Sequence, residues 1–278
     1  MKPASHRIAR TFARLRRERR KALIAYLAAG WPSLREEETL IPGIVRSGVD
    51  ILELGVPFSD PIADGPTIQF ASQKALESGV TLEKIFGLVR RLRRTLEVPI
   101  LLMTYMNPVL RRGTARFCRE ARRAGADGLI VPDLIPEESG PVRSAARREG
   151  LRLVGFVSPT SGAARQRRVA RESDGFIYAV SVTGVTGARG RFPPETRRML
   201  SGLRKITPKP VALGFGVSRP GPLRALLPSV DGVIVGSALI EAIRRARPGR
   251  RLAAARRLLG PLRKVLDGRA LNRRNHAD

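Results

Sequence analysis

GVDILELGVPFSDPIADGPTIQ, residues 48 to 69, places two carboxylates where an apolar strand runs out. Val49, Ile51, Leu52, Leu54 and Val56 read as a strand covered on both faces, the habit of parallel sheets, and Glu53 interrupts the run. Ionising a carboxyl in an apolar slot is costly. It must find a partner, take a raised pKa, or sit at the open end of the strand, and the last two options describe a general acid. Eleven positions on, Asp64 follows a loop stiffened by Pro57, Pro61, Gly65 and Pro66. A strand Glu can also be a water-facing edge residue, and Asp before Gly an ordinary turn former. Their joint placement on one strand and its following loop favours chemistry.

Working outward, short β-rich runs alternate with amphipathic segments along the whole chain, as repeated βα units do. Strands are predicted at 22–28, 49–54, 98–103, 127–131, 151–157, 175–180, 209–213 and 231–235. Helices fill the gaps: Leu88, Leu92 and Leu96 share one face, while Arg90, Arg91, Arg93 and Arg94 are expected to reach water. Eight parallel strands close a barrel. GWPS after the first strand, in place of a Gly-rich dinucleotide fingerprint, argues against a doubly wound open sheet. The expected fold is an α/β protein, a (β/α)8 TIM barrel with an additional N-terminal helix. It forms a single domain over 1–278, with a basic helix in 1–20 and a disordered basic tail in 268–278.

In such a barrel, functional residues gather after strands. Glu53 and Asp64 follow strand two, Thr104 to Asn107 follow strand three, and Tyr178 leads into SVTGVTGARGRF (181–192), whose length and polarity suit a lid. LGFGVS (213–218) and VGSAL (235–239) follow strands seven and eight. Glycines there let backbone N–H groups approach an anion, and Gly236-Ser237 would stand at a helix N-terminus. Together they suggest a phosphate ester as substrate.

Composition narrows the chemistry. With 278 residues, 42% hydrophobic, the chain can bury one large core. Its two histidines, His6 and His276, lie near the ends, outside every periodic segment, which argues against a Ser-His-Asp triad or a histidine-bound metal. Cys118 is the only cysteine and is expected to pack a helix. No apolar run is long enough to span a bilayer, so a cytoplasmic protein is expected. The net charge of +28 is concentrated at the ends: residues 1–21 hold nine Lys or Arg against one acid, and 239–278 hold twelve against three. With only 5% aromatics to stack bases on, a solvated arginine-rich exterior is the preferred reading over a nucleic-acid footprint.

The motifs ELGVPFSDPIADGPTIQ, YAVSVTGVTGAR, GFGVS and GSAL stand in an order that resembles the tryptophan synthase α subunits, over about residues 20 to 265. That resemblance implies retro-aldol cleavage of indole-3-glycerol phosphate to indole and glyceraldehyde 3-phosphate, with no metal or organic cofactor. It gives Glu53 the role of general acid/base and Asp64 that of acceptor for the indole N–H. Tyr26, Tyr105 and Tyr178 would line the pocket. Thr186 would touch the catalytic loop on closure, and Gly187, Phe215, Gly216, Gly236 and Ser237 would hold the phosphate. Pro57 and Asp60 would meet a β subunit, which carries pyridoxal phosphate and receives indole within an α2β2 heterotetramer. The basic termini depart from the family pattern. A stand-alone lyase, another phosphate-binding barrel enzyme, and a nucleic-acid-binding protein are the rival readings.

Overall fold

The computed structural model describes residues 6–181, 192–214, 216 and 219–268. In chain order its first half comprises α1 (Arg7–Arg17), β1 (Ala22–Ala28), α2 (Leu34–Val45), β2 (Ile51–Gly55), α3 (Pro66–Glu77), α4 (Leu82–Arg93), β3 (Ile100–Met103), α5 (Met106–Arg112), α6 (Thr114–Ala124) and β4 (Gly128–Ile130). The second half adds α7 (Gly140–Arg148), β5 (Arg152–Val157), α8 (Ala163–Glu172), β6 (Ile177–Val180), α9 (Pro194–Ile206), β7 (Val211–Gly214), α10 (Pro220–Leu223), a 3-10 turn (Arg224–Ser229), β8 (Gly232–Val235), α11 (Ser237–Arg245) and α12 (Arg251–Leu266). All neighbouring strands are parallel, and β8 pairs back onto β1 with Ala22 opposite Gly232, so the sheet closes into the expected barrel. Parallel pairing demands a long crossover, and every gap between strands supplies at least one helix.

The floor of the barrel explains where the strands begin. Asp50, Asp127 and Asp231, each read from sequence as part of a strand, stand just before β2, β4 and β8. Each carboxylate turns back to accept the first free N–H of the preceding strand: Leu23 N at 3.0 Å, Ile100 N at 3.0 Å and Val211 N at 2.8 Å. Each also keeps its backbone N–H on that strand, donating to Leu23 O at 2.8 Å, Ile100 O at 2.7 Å and Val211 O at 2.7 Å, so side chain and backbone together mark the foot of each strand. Arginines from the helices complete each clamp. Arg93 and Arg7 grip Asp127, Arg204 pairs with Asp231, and Arg263 of α12 and Arg14 of α1 both hold Asp50.

Arg93 therefore corrects the sequence reading. It does not face water but is largely buried, donating to the carbonyls of Leu96, Val98 and Gly125 as well as to Asp127. Leu88, Leu92 and Leu96 are buried together as expected. Helix α1 lies beneath the barrel with Ile8, Phe12 and Leu15 buried, the Phe12 ring 5.7 Å from Phe176 at the start of β6. It closes the N-terminal end of the strands and leaves the opposite end as the mouth. Cys118 is buried on α6. Among the described residues no helix is long and apolar enough to cross a membrane.

Candidate active site

Tyr26 and Glu53 are register partners across β1 and β2, so their side chains leave the sheet on the same side. Both are buried. Two glycines make the room. A Cβ on Gly55 would lie 2.1 Å from the Tyr26 hydroxyl, and one on Gly214 would lie 2.3 Å from the Tyr178 ring. These glycines are needed for space, not for backbone freedom, and only the partner tyrosines reveal it. Gly55→Ala should push the Tyr26 ring out of place and lower kcat/KM by about tenfold or more, with the far-ultraviolet circular dichroism retained. Steady-state kinetics on the folded variant would check this.

Among the described residues neither carboxylate oxygen of Glu53 has a hydrogen-bond partner, and burial alone raises its pKa to about 8. Asp64 ends the β2–α3 loop, half-buried, with Oδ1 enclosed and without a hydrogen-bond partner among the described residues. Burial raises its pKa to about 6, and the nearby Tyr105 hydroxyl opposes that rise. The Tyr105 hydroxyl also accepts the Ala63 N–H at 3.1 Å, and its ring lies 5.3 Å from Phe58, so the loop that carries Asp64 is anchored to the end of β3. The hydroxyls of Tyr26 and Tyr178 are held neutral, first by burial and then by the negative charge that Glu53 and Asp64 would carry. Five residues from four strands and their loops thus share one electrostatic site.

Across the mouth, Gly236 caps α11 and a Cβ there would touch the Tyr26 ring at 3.4 Å, which joins the β8 end of the expected phosphate cup to the acids. Ser237 opens α11, whose N-terminus has no side-chain cap among the described residues, and a helix N-terminus is the end that favours an anion. Gly216 has φ +81°, in the left-handed region that suits glycine. Thr186 and Gly187, with the rest of the expected lid from 182 to 191, and Phe215 lie outside the described residues. Asp60 is exposed and accepts a hydrogen bond from the Ser59 hydroxyl, whereas Pro57 is buried, so of the two expected contact residues only Asp60 faces outward. Sequence reading missed Phe58 and Phe156. The Phe156 ring lies 4.8 Å from Tyr178, and its place on a strand otherwise read as barrel wall gave no signal. Among the described residues no cluster of three or more His, Cys, Asp or Glu could hold a metal ion.

The buried Glu53 and half-buried Asp64, set at the C-terminal mouth of a closed parallel barrel, mark the candidate site of a (β/α)8-barrel enzyme. The family model for the tryptophan synthase alpha chain matches residues 12–263. A tryptophan synthase alpha chain from Geobacter sulfurreducens is 48% identical over 250 residues, spanning 89% of this chain and 95% of the relative. The Legionella pneumophila subunit alpha structure superposes with a TM-score of 0.87 at 35% identity, covering 95% of this chain and all of that one. The Mycobacterium tuberculosis tryptophan synthase structure gives 0.86 at 36% identity, covering 95% and 99%. The chain belongs to the tryptophan synthase alpha chain family, and with it to the lyases of tryptophan biosynthesis.

Proposed function

We infer that this chain cleaves indole-3-glycerol phosphate to indole and glyceraldehyde 3-phosphate, with Glu53 as acid and then base and Asp64 as the fixed anion. The observation that carries the reading is the placement of two carboxyls at one barrel mouth, Glu53 fully buried and Asp64 half-buried; burial raises both pKa values, to about 8 and about 6. At pH 7 Glu53 holds a proton to give and Asp64 is ionised. Glu53 protonates the ring carbon that bears the glycerol phosphate chain, and positive charge spreads to the indole N–H, which Asp64 accepts. The Glu53 carboxylate then takes the proton of the adjacent chain hydroxyl. The carbon–carbon bond breaks, its electron pair returns to the ring, and the hydroxyl carbon leaves as the aldehyde. Glu53 ends as it began, so the proton balance closes without metal or organic cofactor.

This assignment predicts a bell-shaped pH profile. kcat/KM should rise as Asp64 ionises through about 6 and fall as Glu53 loses its proton through about 8. A profile flat from 5 to 9 would remove both roles. Asp64→Asn should narrow the profile to its alkaline limb and cost about a hundredfold in turnover.

A β subunit bearing pyridoxal phosphate is the proposed partner, in an α2β2 assembly and a cytoplasmic setting. Three exposed apolar side chains support a docking face at the mouth: Ile62 (84% exposed), Leu110 (61%) and Ile135 (39%) follow the successive strands β2, β3 and β4. Asp60 stands beside the first. An indole-release assay on the purified chain, with and without tryptophan synthase β subunit, tests reaction and partner together. Coupling should raise turnover by about ten- to a hundredfold on addition of β. Indole release that ignores β would mark a stand-alone lyase, and no release would overturn the reading.

A further inference from the structure

The loop that carries Asp64, residues 56–65, is braced at both ends by the turn between β1 and α2. Before the loop, the Gly55 carbonyl at the end of β2 accepts the Ala29 N–H at 2.8 Å, one step beyond the Ala28–Gly55 register pair. After it, α3 packs on the same turn. The Trp31 ring lies 6.4 Å from Phe70 of α3, and a Cβ on Gly30 would overlap the side chain of Val80, which follows that helix. The turn also ends the strand that carries Tyr26. Whatever fixes residues 29–31 therefore fixes the frame from which Asp64 is presented.

Gly30 is the weak point of that turn. Its φ is +91°, in the left-handed region, and its N–H finds no backbone acceptor among the described residues. Glu37, in the first turn of α2, reaches back and accepts it on Oε2 at 2.6 Å. The glutamate is fully buried, and its Oε1 is enclosed without a hydrogen-bond partner among the described residues. Enclosing an acid for one hydrogen bond costs more in desolvation than the bond returns, so stability alone does not account for this residue. Burial, opposed only by the Gly30 bond, holds its carboxyl well above the usual glutamate range. A glutamine would keep the same shape and the same acceptor.

We propose that Glu37 is a positioning residue for the reaction: by holding the Gly30 N–H it sets the β1–α2 turn against which the Asp64 loop is braced. The inference rests on the reading that this loop acts in the lyase reaction, so its test follows the loop both with and without substrate. Glu37→Met keeps the length and the apolar contacts but removes the acceptor, whereas Glu37→Gln keeps the acceptor. In the folded methionine variant kcat for indole release should fall about tenfold with KM within about twofold, because the Gly236–Ser237 end is untouched, and the glutamine variant should match wild type. Trp31 is the only tryptophan and reports on the turn. Its emission should shift to the red in the methionine variant and stay in place in the glutamine variant. Amide hydrogen exchange across 56–65, which needs no substrate, should quicken in the methionine variant alone. Were Glu37→Met to fail to fold, Glu37→Asp, whose shorter stem stops short of Gly30, makes the same test. Unchanged exchange across 56–65, a kcat equal to that of wild type, or an equal loss in the glutamine and methionine variants overturns the inference. A wild type that releases no indole would sink the lyase reading instead, and exchange and emission would still decide whether Glu37 sets the loop.

Discussion

Glu53→Gln should leave a folded barrel whose indole-forming turnover is lower by about a thousandfold or more, the scale of removing a positioned general acid and base together. The amide has nearly the carboxyl's shape but cannot deliver a proton to the ring carbon or collect one from the hydroxyl. Binding of an inert phosphate analogue should change little, since Gly216, Gly236 and Ser237 are untouched. The same substitution should stabilise the protein in a pH-dependent way. Burial raises the Glu53 pKa to about 8, so the folded state holds its proton more tightly than the unfolded chain does. Wild-type stability must therefore fall as pH rises from the ordinary glutamate value to about 8, and the glutamine variant escapes that loss. Denaturant midpoints should diverge by a few kcal/mol between pH 5 and pH 9, with the variant the more stable. Wild-type turnover in Glu53→Gln, or parallel stability curves, would refute the buried-acid reading.

Asp127→Ala should cost about 3–5 kcal/mol of folding free energy with the active-site groups unchanged. Asp127 is 1% exposed and answers the Ile100 N–H, Arg93 and Arg7 at once. Alanine would leave a strand N–H without an acceptor and the largely buried Arg93 guanidinium without its counter-charge, although its bonds to three carbonyls remain. Asp127→Asn keeps an acceptor for Ile100 and should lose less. Urea midpoints of the two variants against wild type decide the matter. A loss under about 1 kcal/mol for alanine would mean that the clamp adds little beyond the ladder.

All eight strands were legible because each is an apolar run bounded by turn formers, and in a parallel barrel both faces are covered. Their first residues were not legible. Asp50, Asp127 and Asp231 look like strand residues in a linear string, and only the neighbouring strand shows that their side chains serve its N–H groups. Arg93 was misread for a related reason: helical spacing sets it off the leucine face, but its long stem reaches acceptors that belong to other elements. The burial of Glu53 was legible from its place in an apolar run. The space beside it was not, because Gly55 and Gly214 acquire their meaning from Tyr26 and Tyr178 on the neighbouring strands. Pro57 looked like a contact residue by its motif, yet its ring is spent inside the chain.

The Asp50 clamp ties together stretches of chain that are made far apart in time. Arg14 reaches it from 36 positions upstream and Arg263 from 213 positions downstream. During synthesis β2 leaves the ribosome well before α12, whose cation arrives only 213 residues after the carboxylate it serves. The nascent barrel must wait with this carboxylate half-served, and loss of either α1 or α12 would loosen the same knot.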